Sequence, residues 1–132
     1  MILGLGIDIV DLESFGGQLR DQASLFLRET FTPRERSAAE NRRDPVLYLA
    51  GRFAAKEAFV KAWSAIRWGL SPLLKKLPLG SIEILSDQYG RPKLNISEPI
   101  LQALEPLSPY RLHVSISHDG GYTVATVIIE SI

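Results

Sequence analysis

The longest helix that this sequence predicts contains the run Gly51-Arg52-Phe53-Ala54-Ala55-Lys56-Glu57-Ala58-Phe59-Val60-Lys61-Ala62. Asp44-Pro45 predicts its start, because Asp caps helices and Pro fits their first turn, and Gly69 predicts its end after about Trp68. At about 3.6 residues per turn, one apolar stripe is predicted to face the core, made of Val46, Ala50, Phe53, Val60 and Ser64. Glu57 falls on that same stripe.

A carboxylate among apolar neighbours needs an explanation. Burying Glu57 without a partner would cost several kcal/mol or force it to take up a proton. It therefore needs a cation, and Lys61 lies one turn further along the helix. One interpretation is a Glu57–Lys61 pair at a half-exposed edge. The other is a metal site that Glu57 shares with a carboxylate elsewhere in the chain.

Asp8 on the first predicted strand is that second carboxylate. Residues 2–10 alternate, which predicts a strand whose core side carries Leu3, Leu5, Ile7 and Ile9. Glycines leave the other side bare, and glycine within a strand often marks a close approach to the backbone. Asp8 projects from this bare side. Two carboxylates meeting in a cleft favour Mg²⁺ completed by water and substrate phosphate, which implies phosphoryl chemistry.

Cations accompany Glu57 along the helix. Arg52 and Lys56 are one turn apart on a flank of the stripe, and Lys61 follows. A solvated basic flank is the ordinary interpretation, and a phosphate clamp beside the metal is the functional one. His118, at a predicted strand end, is by itself more often structural or merely exposed than functional.

The remaining segments predict an α+β fold with a largely antiparallel sheet packed on the long central helix. Residues 12–31 predict one or two short helices interrupted at Gly16-Gly17, and Thr32-Pro33-Arg34-Glu35 predicts a helix start with a capping box. A hairpin is predicted over 81–96, and Ser97 is predicted to cap a helix over about 98–105. A second hairpin turns at Asp119-Gly120-Gly121. The prediction is a single domain over residues 1–132.

Composition excludes several classes of protein. The 132 residues contain no cysteine, which excludes a disulfide scaffold and thiolate catalysis. Fifteen basic and fifteen acidic residues balance, so bulk charge gives no reason to bind nucleic acid or an anionic membrane. No apolar run reaches about 18 residues, and the N-terminal segment lacks a basic leader. We therefore expect no membrane span, no signal peptide and a cytoplasmic location.

Three segments resemble the holo-[acyl-carrier-protein] synthases, the small single-domain group of 4′-phosphopantetheinyl transferases. They are Gly6-Ile7-Asp8-Ile9-Val10, the helical run Gly51–Ala62, and Val114-Ser115-Ile116-Ser117-His118. The resemblance implies an enzyme that transfers 4′-phosphopantetheine from coenzyme A to a serine of apo-acyl carrier protein, in fatty acid biosynthesis. Adenosine 3′,5′-bisphosphate would leave. It also implies a homotrimer with coenzyme A between subunits.

The resemblance also implies site residues. Asp8 and Glu57 match the family's Mg²⁺ ligands, and with Lys61 they would form the catalytic group. Arg52, Lys56 and Lys61 match its phosphate-binding cations. Four further positions match residues that line the coenzyme A site, namely Gly90, Pro92, Ser117 and His118, the first two reaching it from a neighbouring subunit. The serine proton would go to a carboxylate, most simply Glu57, or to a water that it orients.

Two departures concern the carrier partner. Many relatives carry an arginine near the start of the first helix that docks the acidic carrier, and here that stretch contains Glu13 and Ser14. Docking would then depend on other cations, such as Arg20 or Arg28. Residues 67–80 are longer than in compact relatives and resemble an actinobacterial branch. There the target can be a carrier domain of a large fatty acid synthase.

Three other functions are less consistent with these residues. A broad transferase for polyketide or peptide synthetases is disfavoured, because such chains are typically about twice this length. A non-catalytic nucleotide-binding module would be favoured by loss of Asp8, Glu57 or Lys61, and all three are present. A purely structural trimer leaves the carboxylate on the apolar stripe unexplained.

Overall fold

Ten helices and strands are described by the structure, a computed structural model covering residues 1–21 and 24–132. In chain order they are β1 (Ile2–Asp11), α1 (Leu12–Arg20), α2 (Phe26–Thr30), α3 (Pro33–Glu40), α4 (Pro45–Ile66), β2 (Ile82–Ser86), β3 (Pro92–Ile96), α5 (Ile100–Leu104), β4 (Tyr110–Asp119) and β5 (Tyr122–Ser131). Short 3-10 helices occupy Leu79–Ser81 and Glu105–Leu107.

The strands form two antiparallel sheets, one ordered β1-β5-β4 and the other made of β2 and β3. The β4–β5 hairpin turns at Gly120 and Gly121, between the paired residues Asp119 and Tyr122. Gly120 has φ of +57°, a conformation that favours glycine. The predicted α+β class, the largely antiparallel sheet and both hairpins are confirmed.

Helix α4 begins where the sequence predicts. The Asp44 carboxylate accepts from the Leu47 N–H, Pro45 occupies the first turn, and the helix ends at Ile66, two residues before the predicted end. The predicted capping box of α3 is also confirmed, with reciprocal bonds between Thr32 and Glu35.

The predicted core side of β1 is wrong. Leu5, Ile7 and Ile9 are 59%, 58% and 65% exposed, whereas the glycine-bearing face is buried against α4. A Cβ built on Gly6 would lie 1.9 Å from the Ala58 carbonyl oxygen. The helix therefore packs directly on the strand backbone, which is the close approach that the glycines predict. Alternation identified the two faces of the strand but not which face the helix covers.

The predicted core stripe of α4 is also displaced. Ala50 is buried, but Phe53 and Val60 are only half-buried and Ser64 is exposed. The innermost positions are small or aromatic residues packed against β1 and β5, namely Ala54, Ala55, Ala58, Phe59 and Ala62. Glu57 consequently lies at the edge of the buried face rather than in its middle.

Two helix boundaries differ from prediction. Helix α1 runs through Gly16-Gly17 without interruption, because Asp11 caps its N-terminus and Phe15 anchors it in the core. Helix α5 begins only at Ile100, with Pro99 rather than Ser97 at its N-cap position and no side-chain cap. Neither difference changes the order of the elements.

Candidate active site

Two carboxylates face one open cavity between β1 and α4. Asp8 and Glu57 both line this cavity, of about 400 Å³, together with Ile9, Ser14 and Phe53. We call it the carboxylate cavity. The bare glycine face brings β1 close enough to α4 for the two acids to meet.

Lys61 belongs to the same cluster. Its ammonium lies 3.0 Å from the Asp8 carboxylate and donates to the Ile7 carbonyl at 2.9 Å. Among the described residues, the ion pair of Lys61 is therefore with Asp8 and not with Glu57, which disfavours the simple helix-pair interpretation. A lysine ammonium has three N–H donors, so one remains for a ligand.

Electrostatics around Glu57 indicate excess negative charge. Partial burial, followed by repulsion from Asp8, raises the pKa of the Glu57 carboxyl above its usual value, and Lys61 only partly opposes this. A bound cation would relieve both effects. Hard carboxylate oxygens suit Mg²⁺, which usually takes one or two carboxylates and completes its shell with water and phosphate. Residues 1–21 and 24–132 contain no cluster of three or more acidic, His or Cys ligands, so such outside oxygens would be needed.

Arg52 lies in a second cavity, of about 460 Å³, which we call the arginine cavity. Its guanidinium stacks on the Tyr48 ring at 3.9 Å and donates to the Ser86 hydroxyl, while its buried Nε has no partner among the described residues. Burial lowers the pKa of Arg52 from its ordinary value. Arg42 and Arg43 line the same cavity, so three guanidinium groups surround a space able to accept phosphate.

His118 and Ser117 connect the two cavities. Both residues line a third cavity at the end of β4. Ile9 lines both this third cavity and the carboxylate cavity. His118 and Thr123 line both the third cavity and the arginine cavity. The three cavities therefore adjoin one another between Asp8 and Glu57 at one end and the three arginines at the other, and we call them together the cleft. An extended anionic ligand would fit this arrangement.

Lys56 is not part of the cleft. It is completely buried, and its ammonium donates to the Glu35 carboxylate at 2.8 Å and to the carbonyls of Leu79 and Ile82 at 3.0 and 2.7 Å. All three donors are thus occupied within the protein. The expectation that Lys56 binds phosphate is therefore at odds with its position, and we assign it a structural role. It joins α4 to α3 and β2.

Gly90 and Pro92 lie at the turn between β2 and β3. The turn is closed by Asp87, whose carboxylate accepts from the N–H groups of Tyr89 and Arg91, and Gly90 has φ of +81°. None of the three cavities described above is lined by Gly90 or Pro92 of the same chain. The expectation that this turn reaches the ligand of a neighbouring subunit stays a prediction.

Four cleft residues were missed from the sequence, namely Arg42, Arg43, Tyr48 and Thr123. A signal was available for the first two, since two arginines directly before the Asp44-Pro45 helix start place cations where the helix dipole disfavours them. The other two gave no signal, because an aromatic residue on a helix and a threonine in a strand are ordinary.

Comparison with known proteins identifies the family of this chain. The family model described as the 4′-phosphopantetheinyl transferase superfamily matches residues 4–127. The chain belongs to this superfamily.

Within the superfamily, the chain is similar to proteins named holo-[acyl-carrier-protein] synthase. The Mycolicibacterium smegmatis protein is 40% identical over 98% of this chain and 97% of its own length, and that of Nocardia farcinica is 38% identical over 98% and 88%. The solved Chronobacterium ammoniagenes ACPS–CoA complex superposes with a TM-score of 0.90 at 36% identity, covering 98% of this chain and 97% of that one. The chain is therefore a transferase of this kind.

Proposed function

We propose that this protein transfers 4′-phosphopantetheine from coenzyme A to a serine of an apo-acyl carrier protein, in support of fatty acid biosynthesis. The observation that carries the proposal is the row of adjoining cavities, which places a carboxylate–lysine cluster near three arginines. Coenzyme A has a pyrophosphate and a 3′-phosphate to fill such a cleft. The similarity to the solved ACPS–CoA complex supports the same substrate.

The residues of the cleft have different roles in binding and catalysis. Arg52, with Arg42 and Arg43, binds phosphate of the nucleotide, and Ser117 and His118 line the path of the substrate between the cavities. Asp8 and Glu57 would hold Mg²⁺, which would supply charge neutralisation at the pyrophosphate. The free N–H of Lys61 stabilises negative charge that develops on the leaving phosphate.

The transfer needs no enzyme nucleophile. The serine oxygen attacks the phosphorus that carries the pantetheine, and the bond from this phosphorus to the bridging oxygen breaks. Adenosine 3′,5′-bisphosphate leaves with that oxygen, and the serine proton passes to Glu57 or to a water that it orients. This balance agrees with a cysteine-free chain.

The central experiment measures the product directly. The protein is incubated with coenzyme A, MgCl₂ and an apo-acyl carrier protein, and the carrier is weighed by mass spectrometry. We expect the carrier to gain one phosphopantetheine and the gain to disappear in excess chelator. An unchanged carrier mass, tested with both a free carrier and a synthase carrier domain, would contradict the function; undiminished transfer in chelator would contradict the metal.

The expected homotrimer needs an interface, and the exposed face of β1 offers one. Leu5, Ile7 and Ile9 pair in register with Ile128, Thr126 and Val124 of β5, so a mostly apolar surface crosses two strands. Monomeric proteins rarely expose such a patch. We propose that this face packs against other subunits, and that the Gly90–Pro92 turn of one subunit then reaches the cleft of the next.

Ile7→Lys should disrupt this assembly. Because Ile7 is 58% exposed in the single chain, the substitution should leave the subunit folded while placing a charge in the interface. We expect sedimentation velocity to show a trimer for the wild type and a monomer for the variant, with transfer lost. Leu101→Lys, at another exposed apolar residue, is the control. A wild-type monomer with full activity would contradict the shared site.

The Glu57 carboxyl should make stability depend on pH and on metal. Its folded-state pKa is raised, so its contribution to stability is complete below the ordinary glutamate pKa and is lost as pH rises through the raised value. Without divalent cations, Glu57→Gln should gain in Tm relative to the wild type as pH rises from about 4 to 7. MgCl₂ should then raise the wild-type Tm and not that of the variant. A Tm difference independent of pH and of MgCl₂ would count against the metal site.

The domain and the location belong to the same proposal. We treat residues 1–132 as one domain, because the buried residues of its sheets and helices form one core cluster. Among the described residues, no helix has the length and apolar character needed to cross a membrane. A cytoplasmic location is proposed because a cysteine-free chain needs no oxidising compartment to fold.

A further inference from the structure

The segment that follows α4 presents an apolar surface with positive charges. We call residues 67–76 the post-helix loop. Trp68, Leu70 and Leu73 are 91%, 65% and 51% exposed, which is unusual for residues of this size. Neither the cleft nor the exposed face of β1 includes them.

The loop is anchored from its other side. Leu74 and Leu77 pack against the core cluster, and with the buried Trp63 they line a small apolar cavity beneath the loop. The guanidinium of Arg67 donates to the Ser71 carbonyl at 2.7 Å and holds the start of the loop together. Leu73 lines this cavity with its buried part, and Trp68 and Leu70 are exposed on a packed framework rather than on a free tail.

The charge of the loop has one sign. Arg67, Lys75 and Lys76 lie between residues 67 and 80, and this stretch contains no Asp or Glu. The whole chain is balanced, so this excess is local. Lys76 lies 3.7 Å from Glu29, but both side chains are largely exposed and such a pair contributes little. An apolar surface bordered by cations complements an acidic surface that exposes apolar residues.

Helix α1 carries no net positive charge. Its charged residues are Glu13 and Arg20, and Ser14 lines the carboxylate cavity. An acidic partner would therefore gain no net attraction from α1 itself. Arg28 in α2, the other cation expected to dock the carrier, has Glu29 directly beside it, whereas the post-helix loop contains no acidic residue.

The loop lies within reach of the reaction. Ile66, the last residue of α4, is nine positions after Glu57, or roughly 14 Å at about 1.5 Å per residue, and Trp68 follows two positions beyond the helix end. Lys61 and Ser64, both exposed, lie one and two turns after Glu57 on the same side of the helix. A partner domain of about 100 residues has a radius of gyration of about 13 Å. Such a domain could rest on the loop while one of its loops enters the cavity.

We propose that the post-helix loop is a docking surface for the carrier protein, with Trp68 as its apolar anchor and Lys75 and Lys76 as its charged contacts. This inference rests on the proposed function, because the transfer reaction requires a carrier protein, which the resemblance implies to be acidic, to bind close to Asp8 and Glu57. Exposed tryptophans are prominent among residues that carry binding energy at protein interfaces. An anionic membrane or a second copy of the chain are the other occupants that the test must separate.

The test compares Trp68→Ser and the double variant Lys75→Glu/Lys76→Glu with the wild type in the transfer assay. We expect each to raise the KM for the carrier about tenfold or more, while kcat and the KM for coenzyme A stay within about twofold. Leu101→Ser removes an exposed apolar side chain from α5 and should change none of the three. Added salt should raise the KM of the wild type for the carrier by a larger factor than it raises that of the double variant, because salt screens the attraction between charges.

Each contrary outcome is distinct. If the wild type modifies the carrier and both variants have the same KM for the carrier as the wild type, the docking surface is refuted and the proposed function stands. If the wild type modifies no carrier, the function itself has failed. Loss of the trimer in Trp68→Ser would assign the loop to a second copy. Wild-type binding to phosphatidylglycerol vesicles that the variants lose, with an unchanged carrier KM, would assign it to a membrane. Either result would overturn the proposal.

Discussion

Glu57→Gln is expected to lower kcat/KM for transfer more than about 100-fold, since a metal ion at a phosphoryl group supplies several kcal/mol of stabilisation. Glutamine keeps the size of the side chain and removes its charge, so the cavity keeps its shape. In the wild type, burial and then repulsion from Asp8 raise the pKa of the Glu57 carboxyl. The variant has no charge at this position and is free of both effects. The measurement is the rate at which apo-carrier gains phosphopantetheine by mass spectrometry.

Asp8→Asn should reduce transfer to a similar extent for two reasons. It removes the second proposed metal ligand, and it releases the Lys61 ammonium, which lies 3.0 Å from the Asp8 carboxylate. Glu40→Gln, at an exposed carboxylate in α3, is the matched control and should keep full activity. Tm values should show that all three variants fold. A folded Glu57→Gln or Asp8→Asn variant with wild-type turnover would refute the proposed roles of these acids.

Gly6→Ala should have the largest effect on stability. A Cβ at Gly6 would lie 1.9 Å from the Ala58 carbonyl oxygen and 2.6 Å from the Ala62 nitrogen, both backbone atoms of α4. No side-chain rotation can relieve this overlap, so the strand and the helix must separate. We expect a loss of unfolding free energy of about 4 kcal/mol or more, in the range of the most damaging core substitutions.

Urea unfolding measures this loss, and soluble yield serves if the variant does not fold. Gly121→Ala is the control, because a Cβ there meets nothing within 4 Å and should change stability by no more than about 0.5 kcal/mol. Gly4→Ala should behave like Gly6→Ala, since its Cβ would lie 2.1 Å from the Ala62 carbonyl oxygen. A Gly6→Ala variant as stable as Gly121→Ala would refute the close packing of β1 on α4.

Lys56 and Glu57 illustrate the limit of helical periodicity. Helical periodicity correctly indicated that a charged side chain on the buried face of α4 needs a partner of opposite charge. It identified Glu57 as that buried side chain. The structure buries Lys56 instead, paired with Glu35 from α3, twenty-one positions away in sequence. A one-residue step rotates a helix by about 100°, so a small error in the direction of the core exchanges two neighbouring side chains. Only the packing of α3 and β2 against α4 determines that direction.

Local sequence signals determined much of this protein. Asp44-Pro45, the Thr32–Glu35 capping box and Asp119-Gly120-Gly121 act within a few residues of backbone, and they predicted the helix starts and the hairpin correctly. The order of elements and the family motifs also followed from the chain alone. These features were predictable because the hydrogen bonds that stabilise them join near neighbours.

Tertiary structure alone decided which surfaces are covered and which residues meet. It turned the glycine face of β1 onto α4, left Leu5, Ile7 and Ile9 exposed, and brought Asp8 to Lys61, fifty-three positions away. It also added Arg42 and Arg43 to the cleft and withdrew Lys56 from it. These outcomes depend on how closely whole elements approach one another, and the summed packing of distant side chains determines that approach.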